Sequence, residues 1–265
     1  MEPTPYGTVT IKFRTAKNNA DKVIIVEKRK THPMQLAYSN ELFDYYTHEI
    51  QLDNEPLSYY FEVHSGNMVS YFDVRGVSRE PMDNYNFLII PGFKTPDWAK
   101  GAVMYQIYVD RFYNGDPSND VETREYSYIG DYTTRVTDWD KYPEVMGVRE
   151  FYGGDLQGVI DKMDYLESLG IEVIYFNPLF VSPSNHKYDI QDYDNIDPHF
   201  GKIVEDGGEV LPEGCFENRQ ATKYIKRVTS KANLDAGNKL FADLVAEAHK
   251  RGIKVILLSM NTSGS

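Results

Sequence analysis

Residues 151–201 read FYGGDLQGVIDKMDYLESLGIEVIYFNPLFVSPSNHKYDIQDYDNIDPHFG, and this stretch decides the fold. Asp155 stands where a helix N-cap belongs, because its carboxylate can accept the free N–H groups of a first turn. Leu156, Val159, Ile160, Met163 and Leu166 follow at i, i+3, i+4 and i+7 spacing, the apolar stripe of an amphipathic helix. Gly170 stops that helix at the left-handed position that glycine adopts without steric cost. Ile171–Phe176 (IEVIYF) then predicts a strand buried on both faces, as parallel strands are. The strand opens into Asn177-Pro178 and a loop of polar and aromatic residues. A helix feeding a parallel strand, with polar groups at the strand's C-terminal mouth, is the repeating unit of a β/α barrel.

Working outward, Ala102–Val109 (AVMYQIYV) predicts an earlier parallel strand and Ile253–Leu258 (IKVILL) a later one. Leu240, Phe241, Leu244, Val245 and Ala248 mark a second amphipathic helix, stopped by Gly252. Two long polar segments, 121–150 and 200–235, lack a regular pattern and read as insertions, of the kind that are often functional or mobile. Upstream, Val9, Ile11 and Phe13 alternate with polar residues, and strand-like runs recur at Val23–Lys28, Tyr45–Leu52, Leu57–Val63 and Val69–Val74. Turn-rich spots at Lys17-Asn18-Asn19 and Ser65-Gly66-Asn67 separate them. This spacing predicts an antiparallel β-sandwich. The prolines and glycine of PGFKTPDW (91–98) read as a connection. The expected organisation is a sandwich over 1–93, a linker at 94–98, and a partial α/β (β/α)8 barrel of about three strands over 99–265.

With 41% hydrophobic residues the chain can build a core, and no apolar run is long enough to span a membrane. The start, MEPTPYG, carries no signal-peptide pattern, so a cytoplasmic protein is expected. The single cysteine, Cys215, excludes an internal disulfide and reads as incidental. A net charge of −12 argues against nucleic acid or an anionic membrane surface as partner. It suits a neutral ligand or a cation. The 21 tyrosines offer stacking planes with a hydroxyl handle, although core packing explains most of them.

Three motifs, in order, carry a family resemblance: NGDPSND (114–120) with GGDLQG (153–158), the strand ending in NPLF, and HKYDIQDYDNIDPHFG (186–201). Across about residues 98–258 the chain resembles the α-amylase superfamily, glycoside hydrolase family 13, and its neopullulanase and cyclomaltodextrinase branch. The sandwich resembles the carbohydrate-binding module that precedes the barrel there. That implies either a homodimer formed through the N-terminal domain or a merely structural cap. The activity implied is retaining hydrolysis of α-1,4-glucans, maltooligosaccharides or cyclodextrins, so the expected partner is an α-glucan oligosaccharide. A transglycosylase on the same scaffold and a non-catalytic glucan-binding or assembly protein are the alternatives.

By residue chemistry alone, Asn114, Asp116, Asn119 and Asp120 read as a solvated Asx turn, with Asp155 only a helix cap. The resemblance implies instead a structural calcium site made by Asn114, Asp116, Asn119, Asp120, the carbonyl of Gly153, and Asp155; calcium takes such hard oxygen ligands. It likewise implies that Tyr188 stacks on a sugar and His186 hydrogen-bonds it. Asp189 and Asp192 are expected to organise the loop, and Asn177 to orient the strand mouth. The family's three catalytic carboxylates follow strands four, five and seven, so they are expected beyond Ser265 and none is assigned here. Leu258 stands where the family carries an aspartate at the end of strand three, Thr262 replaces a histidine, and Asn261 aligns with the family's asparagine only across a deletion. Three parallel strands alone would expose two edges and an apolar face, which predicts association, poor solubility or a continuing chain.

Overall fold

The computed structural model describes residues 2–28 and 30–258, so Asn261 and Thr262 lie outside the described residues. The chain divides into two compact units, Met1–Lys100 and Gly101–Ser265.

Among the described residues the first unit contains nine strands: β1 (Thr8–Ala16), β2 (Lys22–Glu27), β3 (Lys30–Pro33), β4 (Gln35–Ser39), β5 (Phe43–Gln51), β6 (Leu57–Ser65), β7 (Met68–Asp73), β8 (Gly76–Ser78) and β9 (Phe87–Ile89). One sheet has the order β1-β5-β4. The other has the order β3-β2-β6-β7-β8, with β9 also paired to β6. All pairings are antiparallel. Ile11, Tyr46 and Ile50 of the first sheet share one buried core with Val23, Ile25, Leu57 and Phe61 of the second, which makes the unit a sandwich. Strands β3, β4, β8 and β9 carry too few buried apolar residues to be read from alternation, and all five residues of β4 are exposed.

In the second unit three short strands, Met104–Ile107, Val173–Phe176 and Lys254–Leu257, pair in parallel in chain order. Helices α1 (Leu156–Asp161), α2 (Met163–Ser168), α3 (Thr222–Thr229) and α4 (Lys231–Lys250) accompany them. Ile107, Ile174 and Phe176 on one sheet face pack with Leu156, Val159, Met163, Leu166, Leu244 and Ala248. On the other face Met104 is 47% exposed and Tyr175 and Ile256 are partly exposed.

The predicted helix is interrupted: at Lys162 the backbone flattens to ψ 9° and the N–H is shared between the Gly158 and Val159 carbonyls, both at 3.2 Å. Its stop is as predicted. Gly170 (φ +72°) donates to the Glu167 carbonyl and Ile171 to the Leu166 carbonyl, with both apolar partners buried. That is a Schellman turn, and Gly252-Ile253 repeat it on His249 and Ala248.

Two expectations are corrected. The 200–235 segment is not an unpatterned insertion: it contains α3, and α4 starts at Lys231 rather than near 240. The first turns of α4 pack through Asn233 and Gly237 instead of large apolar groups, so they leave no hydrophobic period to read. Asn233 is fully buried, accepting from the Val204 and Glu205 N–H groups at 2.8 Å and donating to the Glu205 and Arg227 carbonyls. Gly237 lies against Gly201, where a Cβ on Gly201 would fall 2.7 Å from the Gly237 Cα. The 121–150 segment is likewise ordered around a small core of its own, with Val121, Tyr126 and Phe151 packed on Leu211, Ala221 and Tyr224.

Candidate functional site

The loop 182–191 carries the predicted sugar contacts, and a short ladder of Phe180–Val181 against Asp192–Ile196 closes its neck. Asn185 ties it down with every side-chain group in use. Its Nδ2 donates to the Gly147 and Glu150 carbonyls, both at 2.7 Å, and its Oδ1 accepts from the Tyr108 hydroxyl at 2.6 Å. Tyr126, fully buried, donates its hydroxyl to the Pro183 carbonyl at 2.7 Å. The 121–150 segment therefore grips the loop through contacts at Pro183, Asn185 and Asp189.

His186 and Tyr188 are held together, ring centroids 5.7 Å apart and planes tilted 44°. The Tyr188 N–H donates to His186 Nδ1 at 3.1 Å, so the ring's proton sits on Nε2. Burial holds the His186 pKa below its ordinary value against the pull of Asp189. The imidazole is therefore neutral at pH 7, able to donate from Nε2. Tyr188 is 37% exposed and His186 half-buried, so the pair offers a stacking face beside a donor.

Asp189 organises the loop. Its Oδ1 accepts from the hydroxyls of Ser182 (2.6 Å) and Ser184, and Tyr128 also bonds it. Burial would raise its pKa, but these three donors hold it below the ordinary value. Asn177 accepts from Gln106 Nε2 at 2.6 Å, joining the mouths of the first two parallel strands. Asp110 is fully buried; burial raises its pKa to about 7, offset in part by the Tyr152 and Gly153 N–H groups that it accepts.

The predicted calcium ligands fall into two touching groups. Asn114 Nδ2 donates to Asp120 Oδ1 at 2.7 Å, and both side chains press on Gly153, whose φ is +82°. Asp155 caps α1 through Gly158 N at 2.6 Å and also accepts from Asp116 N at 2.7 Å, Gly115 N at 3.2 Å and Asn119 Nδ2 at 3.4 Å. The Asp116 carboxylate accepts from the N–H and hydroxyl of Ser118. Burial raises the Asp120 pKa to about 6 in spite of its ion pair with Arg135. Among the described residues no three His, Cys, Asp or Glu side chains converge as a metal-holding group. The side-chain oxygens of Asn114 and Asn119, however, are buried acceptors with no hydrogen-bond partner.

Beneath the loop lies a buried ionic chain that sequence reading missed. Lys187 Nζ pairs with Asp197 Oδ2 at 2.6 Å, and Asp197 Oδ1 with His199 Nδ1 at 2.9 Å. His199 Nε2 meets Glu125 Oε1 at 2.7 Å, and Glu125 Oε2 meets Arg227 Nη1 at 2.9 Å. Arg227 ends the chain on Asp206 at 2.8 Å. Lys187, Asp197 and Glu125 are fully buried and His199 and Arg227 nearly so. The local signal was slight: Lys187, Asp197 and His199 stand within the 186–201 motif, but Glu125 and Arg227, which complete the chain, are remote in sequence.

Comparison with known proteins assigns both units to described families. Residues 4–91 match the family described as alpha amylase, N-terminal ig-like domain, and residues 106–210 the one described as alpha amylase, catalytic domain. A cyclomaltodextrinase of Thermoanaerobacter pseudethanolicus is 37% identical over 82% of this chain and 38% of its own length. Neopullulanase 2 of Thermoactinomyces vulgaris is 36% identical over 90% of this chain and 34% of its own. An intracellular maltogenic amylase of Bacillus subtilis is 31% identical over 94% and 38%. Among solved structures, a cyclomaltodextrinase at 28% identity covers 97% of this chain and 38% of that one, with a TM-score of 0.50. The chain thus spans between a third and two fifths of these relatives. Two family domains in series, together with the relatives named, place the chain in the α-amylase superfamily, on its neopullulanase and cyclomaltodextrinase branch.

Proposed function

We propose that the chain forms the saccharide-contacting part of a retaining α-amylase-type glycoside hydrolase. Its substrates are α-1,4-glucans, maltooligosaccharides or cyclodextrins. The observation that carries this is the His186–Tyr188 pair: a part-exposed aromatic face beside a neutral imidazole, fixed beyond the C-terminal end of a parallel strand. A tyrosine face covers the C–H surface of a sugar, and Nε2–H meets a hydroxyl oxygen. Strands Met104–Ile107, Val173–Phe176 and Lys254–Leu257 are read as the first three of a (β/α)8 barrel. No catalytic carboxylate is assigned, because Asp110, Asp189 and Asp197 are each committed to donors inside the protein.

Calcium belongs to this reading as a structural ion. The orphaned oxygens of Asn114, beside Asp120 and the closely packed Gly153, and of Asn119, beside Asp155, fit a hard cation. Asp116 and Asp155 complete the oxygen set while also serving as turn and helix caps. Bound there, the ion would pin the loop after the first parallel strand to the start of α1. An intracellular location, suggested by the maltogenic amylase relative, and a homodimer through the N-terminal unit also belong to it.

The test is titration calorimetry of maltohexaose into the purified chain, followed by assay for turnover. Binding weakened in Tyr188→Ala supports the reading; a chain that binds no maltooligosaccharide overturns it. A second reading, a non-catalytic glucan-binding protein, is favoured by Leu258, an apolar residue closing the third strand where the family carries an aspartate. Binding without turnover in the longest natural form of the protein would select it.

A further inference from the structure

Lys187 sits between the two proposed sugar contacts and differs from both. Its backbone is left-handed, φ +59°, a region unfavourable for any residue that bears a Cβ. Its side chain is fully buried. The ammonium donates to Asp197 Oδ2 at 2.6 Å and to the Ser182 carbonyl at 2.7 Å, and lies 4.9 Å from the centre of the Phe200 ring. Its backbone N–H donates to Ser184 Oγ at 3.0 Å. A left-handed residue reverses the chain direction locally. Here the reversal lets the Tyr188 N–H fold back onto His186 Nδ1 and brings the two rings to 5.7 Å.

We propose that Lys187 is a positioning residue: its buried ammonium, anchored on Asp197, holds the left-handed turn that presents His186 and Tyr188 as one saccharide-contacting surface. The anchor is itself fixed. Asp197 also accepts from the Ser182 N–H at 3.1 Å and from His199, which Glu125 holds from the far side. The turn thus takes its geometry from a segment far upstream, and a side chain that never reaches the ligand decides how the ligand is met. The idea rests on the saccharide reading for its consequence, but not for its geometry.

The experiment has two arms on the whole chain. In the first, NMR measures the ring-to-ring nuclear Overhauser effect between His186 and Tyr188 without ligand. It is expected in the wild type and lost in Lys187→Met, while the melting transition stays cooperative. In the second, a double-mutant cycle combines Lys187→Met with Tyr188→Ala. Lys187→Met should weaken maltohexaose binding up to about fivefold when Tyr188 is present and add nothing when Tyr188→Ala is already in place, a coupling of ordinary size for contacting residues. An unspecific structural loss would weaken both backgrounds alike. Should Lys187→Met not fold, Asp197→Asn removes the counter-charge at constant size and reads the same arms. An unchanged ring contact in a folded variant overturns the proposal. A wild-type chain that binds no maltohexaose overturns the saccharide reading instead, and the first arm still decides the role of Lys187.

Discussion

His199 Nε2 lies 2.7 Å from Glu125 Oε1, although 74 residues separate them in the chain. The other ring nitrogen faces Asp197 Oδ1 at 2.9 Å, so both nitrogens meet carboxylate oxygens and both carry protons. Burial opposes that charge, but Glu125 and Asp197 together raise the His199 pKa above its ordinary value. Removing one partner from such a chain leaves another charge buried and unpaired, which is why its members are expected to be intolerant of substitution.

The linkage has a definite sign. A histidine whose folded pKa is raised stabilises the fold fully below its unfolded value of about 6.5, and that contribution is lost as pH rises through the folded pKa. The unfolding free energy should therefore decline on the alkaline side of about pH 6.5. His199→Gln should flatten that decline and cost about 3 kcal/mol at pH 6. Urea unfolding of both proteins across pH 5.5–8.5, in steps of about half a unit, checks it.

Saccharide binding should have the opposite dependence on acid. His186 is neutral at pH 7, with Nδ1 accepting from the Tyr188 N–H, so protonating the ring breaks that contact. Maltohexaose affinity should fall as pH drops below the ordinary histidine range. Tyr188→Ala should weaken binding by about 1 kcal/mol and Tyr188→Phe by less, since the face is retained. Calorimetry at pH 5 and 7 would show both effects.

Calcium should raise the melting temperature, and excess EDTA should lower it by several degrees, if the orphaned Asn114 and Asn119 oxygens serve a cation. Asn119→Ala should remove most of the calcium response. An identical melting curve with and without EDTA would leave the cluster as turns and a helix cap.

Gly158 gives a prediction whose sign is reversed by the tertiary structure. In an isolated helix Gly→Ala stabilises by about 1 kcal/mol. Here a Cβ would be driven into the Tyr113 carbonyl oxygen, so Gly158→Ala should destabilise by about 2 kcal/mol. Gly170 has open space around it, and there Ala should cost only about 1 kcal/mol, for its left-handed backbone. Thermal melts of the two variants make the comparison.

The sequence by itself determined what depends on local pattern. The stripe from Leu156 to Leu166, the Gly170 and Gly252 stops, the buried run around Ile174 and the alternation of Val9, Ile11 and Phe13 are repeating apolar contacts or single backbone conformations. Each is legible within a dozen residues. It also placed His186 and Tyr188 in one loop after the second parallel strand, while the left-handed turn at Lys187 that brings their rings together is tertiary. Only the tertiary structure decided the early start of α4, because Asn233 and Gly237 pack there by hydrogen bonding and close backbone approach rather than by hydrophobicity. Only it decided that Lys187, Asp197, His199, Glu125 and Arg227 form one buried chain. A buried charge is stable only beside its counter-charge. The partner can come from anywhere along the chain, and no local period records where.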